Sequence, residues 1–116
     1  MHLIIGGAYQ GKLTCVVETY HIASSDVLDL AQHDPVEGYR CYTHLEALTR
    51  RDEHPERWLP ALESAVVIAR EIGGGIVPLD PAERAWRERH GAMLQTLAAR
   101  AERVTRVFCG LTEELK

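Results

Sequence analysis

At 116 residues, 46% of them hydrophobic and 26% charged, the chain has the size of one small domain with a single two- or three-layer core. A formal charge of -4 without a polybasic stretch excludes general nucleic-acid or membrane-surface binding, and leaves a small molecule or another subunit as partner. Three widely spaced cysteines (Cys15, Cys41, Cys109) argue against a disulfide framework or zinc site. No apolar run reaches about eighteen residues and no leader precedes the first strand, so a cytoplasmic protein without a membrane span is expected.

The chain opens on an apolar run, Leu3-Ile4-Ile5, that feeds into Gly6-Gly7-Ala8-Tyr9-Gln10-Gly11-Lys12-Leu13-Thr14. Gly6, Gly11 and Lys12 fit the phosphate-binding pattern G-x-x-x-x-G-K-[ST], whose last position is taken by Leu13. Glycines there let backbone N–H groups converge on an anion, the following helix offers its positive end, and the lysine adds a mobile charge. The alternative is a glycine-rich strand-to-helix turn with a solvated lysine.

Thr14 to Tyr20 should form the helix behind the loop, and a short strand is expected within His21 to Leu30. Asp34-Pro35 and Gly38 mark a loop. Tyr39 to Arg51 reads as a helix with Tyr42, Leu45 and Leu48 on one face, and Asp52 to Glu63 as another, with Pro60 awkward inside it. Ser64 to Ala69 is apolar enough for a central parallel strand. Arg70, Glu71 and the glycines after them then lie where ligands sit in open α/β sheets, off the strand carboxyl ends.

Asp80-Pro81-Ala82-Glu83 is a helix start with Asp80 as N-cap and Glu83 closing a capping box. That helix should run to about Arg103, with Ala82, Trp86, His90, Met93, Leu97, Ala101 and Val104 on one stripe. Thr105 to Cys109 gives a last strand and Leu111 to Lys116 a tail. The order of elements predicts an α/β fold: a compact, single-domain, three-layer sandwich of the P-loop NTPase type with a mostly parallel sheet, spanning residues 1–116.

Two separated stretches resemble one family. Ile4-Ile5-Gly6-Gly7-Ala8 through Gly11-Lys12 is similar to a Gly-Gly-Ala-x-Ser-Gly-Lys-Ser loop. Glu71-Ile72-Gly73-Gly74-Gly75-Ile76-Val77-Pro78, the arginine-rich segment to Gly91, and Arg103 to Lys116 are similar to its Asn-Glu-Val-Gly-x-Gly-Ile-Val-Pro motif and closing strand. The family is adenosylcobinamide kinase/adenosylcobinamide-phosphate guanylyltransferase, and the chain looks like a short, divergent member. The resemblance implies a role in cobalamin biosynthesis, ATP or GTP with Mg²⁺, adenosylcobinamide as acceptor, and a homotrimer. In one alignment Arg50, ahead of Pro55 and Trp58, occupies the position of the family's guanylylated histidine. In another, Cys41 to Leu45 matches a segment that follows a metal-associated aspartate, which sets Arg40 at the aspartate.

Phosphoryl transfer needs a loop and lysine on the phosphates, and oxygen ligands for Mg²⁺. Lys12 and Glu71 are therefore the candidate catalytic residues, Gly6 through Thr14 the nucleotide-binding set, and Thr14 the metal candidate in place of Leu13. Glu71 has a second reading, as a salt bridge bracing its loop. His44 and His54 are weaker candidates for a nucleophilic imidazole, and His90, on the apolar stripe, reads as core. Arginines 84, 87, 89, 100, 103 and 106 are either an anion-facing rim or a solvated face. The departures at Leu13 and the histidine leave a rival reading, a catalytically degenerate paralogue that binds nucleotide or corrinoid as a regulatory module.

Overall fold

The computed structural model describes residues 1–7, 11–72 and 79–116; the expectations for Ala8, Tyr9, Gln10 and residues 73–78 lie outside them. Six strands form one sheet in the order β2-β3-β4-β1-β5-β6. β1 (His2–Gly6) is central, flanked in parallel by β4 (Val66–Arg70) and β5 (Arg103–Phe108). β3 (Cys41–Thr43) and β2 (Val27–Asp29) continue the parallel order on one side, and β6 (Leu111–Glu114) closes the other side antiparallel. The carboxyl ends of all five parallel strands, at Gly6, Asp29, Thr43, Arg70 and Phe108, therefore share one edge.

Alternation along the central strands sends side chains to two apolar layers. Leu3, Val67, Ala69 and Val104 face helices α2 (Leu45–Arg51), α3 (Leu59–Leu62) and α4 (Pro81–Arg100), contributing to a core with Leu45, Leu48, Leu62, Met93 and Leu97. Ile4, Val66, Ile68 and Val107 face the other way, onto Val16 of α1 (Lys12–Tyr20). The result is the expected α/β sandwich, helices on both faces of a mostly parallel sheet.

Several expected elements are corrected. Tyr39 to Arg51 is not one helix: Cys41, Tyr42 and Thr43 are all buried as β3, and α2 starts only after His44, which takes a left-handed turn at φ 62°. Pairing with β4 outweighs the helical spacing of Tyr42 with Leu45. Asp52 to Glu63 is a 3-10 turn at Pro55–Trp58 followed by α3, so Pro60 sits in a first turn where its missing N–H costs nothing. The last helix stops at Arg100, because Ala101 is already extended (φ -67°, ψ 142°), and β5 begins at Arg103 rather than Thr105.

The expected tail is strand β6. Cys109 and Gly110 both have positive φ (52° and 75°), as a two-residue hairpin turn matching the sheet's twist requires. The Asp80 cap is as expected, its carboxylate accepting the Ala82 N–H at 2.8 Å. Glu83 does not close a capping box but pairs with Arg50 at 2.5 Å. Among the described residues no helix is long and apolar enough to cross a membrane.

Candidate phosphate-binding edge

The opening strand delivers Gly6 and Gly7 to the carboxyl edge of the sheet, where backbone must pass close to a neighbour. A Cβ on Gly6 would stand 2.5 Å from the Val107 carbonyl oxygen, so only glycine fits. Gly11 has φ +87° and caps α1 without a side chain, and the hairpin turn at Gly110 approaches it from β5. Lys12, the first residue of α1, turns its ammonium back to donate to the Gly7 carbonyl at 2.5 Å. The loop's two described ends and the lysine thus meet at the N-terminus of α1, the end of a helix that favours an anion.

Electrostatics around Lys12 bring in a residue that sequence reading missed. Burial pushes its ammonium below the usual range, Glu46 opposes that fall, Arg70 adds to it, and Glu71 opposes it more weakly. Glu46 lies in the first turn of α2, and its carboxylate accepts the Arg70 backbone N–H at 2.9 Å. Glu71, expected here, is half-exposed; its N–H donates to Gly6 O at 2.8 Å and its carboxylate stands 3.5 Å from Arg106 Nε. Glu71 therefore braces the edge while remaining beside the lysine.

Leu13 is exposed and carries no oxygen, and Thr14, also exposed, is the next hydroxyl along α1. No group of three or more His, Cys, Asp or Glu converges on a metal position among the described residues. The chemistry of the edge still suits Mg²⁺, which is commonly held by one or two carboxylates together with substrate phosphates. Glu71 is a carboxylate at that edge, while the Glu46 carboxylate is taken up by the Arg70 N–H.

A second polar group stands on the same edge. Asp29 ends β2, and His44 follows β3, the paired strand; the imidazole Nδ1 and Asp29 Oδ1 are 2.8 Å apart. Burial raises the Asp29 carboxyl, but the Ala31 N–H, the His44 hydrogen bond and the charges of His44 and His33 outweigh it and hold the group below its usual range. His44 keeps φ 62°, a conformation costing a non-glycine residue about 1 kcal/mol. The imidazole side chain is 53% exposed.

The other expected residues are placed elsewhere or used structurally. His90 is core as expected, its ring nitrogens within 2.8 Å of Thr49 Oγ1 and 2.7 Å of the Arg70 carbonyl, and burial lowers its basicity. His54 lies exposed on the turn before Trp58, 3.6 Å from Glu56. Arg50, the position aligned with the family's histidine, stacks over Trp86 at 3.7 Å while pairing with Glu83. Arg40 precedes β3 at its amino end and donates to the Tyr20 carbonyl at 3.3 Å, away from the carboxyl edge where a metal-associated acid belongs.

Four of the six arginines in the cluster are engaged by groups of the protein itself. Arg89 donates to the carbonyls of Thr49 and Arg50, while Arg100, Arg103 and Arg106 pair with Glu63, Glu114 and Glu71. His2, for which the sequence names no partner, bonds Tyr20 and Thr105.

In comparison with known proteins, the sequence model described as cobinamide kinase / cobinamide phosphate guanyltransferase matches residues 14–115. The match begins after Leu13, so the loop residues before Thr14 lie outside it. No curated protein matches the chain.

Proposed function

Since the chain belongs to the cobinamide kinase / cobinamide phosphate guanyltransferase family, and with it to cobalamin biosynthesis, we propose that its carboxyl-edge site phosphorylates the side-chain hydroxyl of adenosylcobinamide from a nucleoside triphosphate. The observation that carries this reading is Lys12 at the head of α1, its ammonium folded against the Gly7 carbonyl and within reach of the Glu46 and Glu71 charges. Gly6, Gly7, Ala8, Tyr9, Gln10, Gly11, Lys12, Leu13 and Thr14 form the nucleotide-binding segment, with Lys12 on the terminal phosphates. Glu71 and Thr14 would hold Mg²⁺ carried in by ATP or GTP in place of the missing loop hydroxyl. Held there, Mg²⁺ would neutralise charge developing on the phosphates.

Guanylyl transfer is the half of the family's chemistry this chain supports least, because Arg50 is committed to Trp86 and Glu83. We assign residues 1–116 to one nucleotide-binding unit in the cytoplasm, assembled as a homotrimer. The assembly is supported by exposed Phe108, Leu111 and Leu115 beside the open edge of β6. Light scattering tests it, and a monomer would reject it.

The deciding experiment measures melting temperature with Mg²⁺-ATP and Mg²⁺-GTP for the native chain and Lys12→Ala, followed by phosphate transfer to adenosylcobinamide. Stabilisation that needs Lys12, together with phosphorylated product, is expected. Stabilisation without any transfer would favour a nucleotide-binding module instead, and no stabilisation would reject the site.

A further inference from the structure

The Asp29–His44 pair is not used by the loop chemistry, yet it stands on the same edge. Thr43 is level with Asp29 across β2 and β3, and Tyr42 is level with Val67 across β3 and β4, which places His44 one strand away from the end of β4. Two residues beyond His44, Glu46 reaches the Arg70 N–H and is felt by Lys12. The imidazole is thus held on the rim that would receive the phosphates, by a turn between strand and helix rather than by a surface loop.

The pair also has the right order of donor and acceptor. Asp29 Oδ1 accepts the Ala31 N–H at 2.9 Å, which fixes the carboxylate, and the same oxygen faces His44 Nδ1 at 2.8 Å. An ionised carboxylate on Nδ1 selects the tautomer with the proton there, leaving the Nε2 lone pair outward. No hydrogen bond to Nε2 is formed within the described residues. A neutral imidazole oriented by a carboxylate is the usual arrangement of a general base.

We propose that His44 is the general base of phosphoryl transfer, oriented by Asp29 as a positioning residue. This rests on the kinase reading above. Nε2 takes the proton from the acceptor alcohol as its oxygen forms a bond to the terminal phosphorus. The bond from that phosphorus to the bridging oxygen breaks, and the electron pair leaves with the nucleoside diphosphate. The imidazolium, paired with Asp29, then returns its proton to water. The charged group facing His44 is Asp29 at the end of β2, with His33 acting on that same carboxylate.

The test uses the full chain carrying His44→Ala, His44→Gln and Asp29→Asn. His44→Ala should lower kcat by about 10²- to 10⁴-fold while nucleotide affinity and acceptor KM stay within about threefold, and added imidazole should restore rate in proportion to its concentration. A structural role would not give that rescue, and Asp29→Asn should lower kcat less. Retained kcat, or loss of kcat without rescue in a folded His44→Ala protein, would overturn the proposal.

A second measurement separates this failure from failure of the kinase reading. In ¹⁵N-imidazole spectra, the His44 Nε2 resonance should shift when both a non-hydrolysable ATP analogue and adenosylcobinamide are bound, and not with the analogue alone. An unmoved Nε2 signal under saturation, or a protein that binds neither compound, rejects His44 as the base. In the second case the nucleotide-melting experiment fails as well.

Discussion

The Glu46 carboxylate accepts the Arg70 backbone N–H at 2.9 Å, fastening the first turn of α2 to the carboxyl end of β4. The same carboxylate is the strongest charge counteracting the burial of Lys12. Glu46→Gln keeps an acceptor for Arg70 but removes the charge. Burial and Arg70 then act on the lysine against Glu71 alone, so its ammonium should lose its proton at lower pH than in the native chain. Amine acylation of Lys12 followed across pH by mass spectrometry measures this; the reactivity curve should move to lower pH, and superposable curves would show that Glu46 is not felt.

Protonation of the core histidine sets a second expectation. His90 is fully buried between α2, α4 and β4, and burial holds it below the ordinary value of 6.5. His2 is shifted the same way, by burial and then by Arg103. For both, the unfolded chain gains a proton below pH 6.5 that the folded chain refuses. Stability is therefore complete above that pH and falls as pH drops, by at most about 1.4 kcal/mol per pH unit for each histidine. Urea midpoints at pH 7.5 and 5.5 should differ in the native chain and differ less in His90→Gln; an equal difference in the two would reject His90 as a source.

Glycine positions should separate cleanly. Gly6→Ala drives a Cβ to 2.5 Å from the Val107 carbonyl, a backbone atom in a central strand, and should cost about 1–3 kcal/mol while disturbing the loop. At Gly91, inside α4, an added Cβ meets nothing within 4 Å. Gly91→Ala should stabilise the chain by about 0.5–1 kcal/mol through helix propensity and reduced unfolded-state freedom. Thermal denaturation checks both, and the same sign for both substitutions would contradict the packing described.

Which parts were legible in the sequence follows from how local their causes are. β1, the apolar β4 and the Asp80-Pro81 helix start each declare themselves within a few residues, through an apolar run or a cap. β3 does not: it is three residues long, and Tyr42 shares helical spacing with Leu45 and Leu48. Reading it as helix also hid Glu46, whose importance depends on α2 starting after a strand at the ligand edge. The Asp29–His44 pair spans fifteen positions and exists only because β2 and β3 align in parallel. β6 carries no buried side chain to reveal it, and its clue was the Cys109-Gly110 turn.

Asp52 holds the chain where α2 ends and the 3-10 turn begins. Its carboxylate accepts the His54 N–H at 2.9 Å, Trp58 Nε1 at 2.8 Å and Arg57 Nε at 3.1 Å. The Arg57 side chain is 63% exposed, so the ion pair with it should contribute no more than about 1 kcal/mol. The hydrogen bonds from the backbone and the half-buried indole matter more. Asp52→Ala should therefore lose about 1–3 kcal/mol, with Trp58 fluorescence shifted, and Asp52→Asn, which keeps one acceptor oxygen, less than half of that. Urea titrations of the two variants decide the matter: equal losses would mean that the charge on Arg57, rather than the hydrogen bonds, secures this turn.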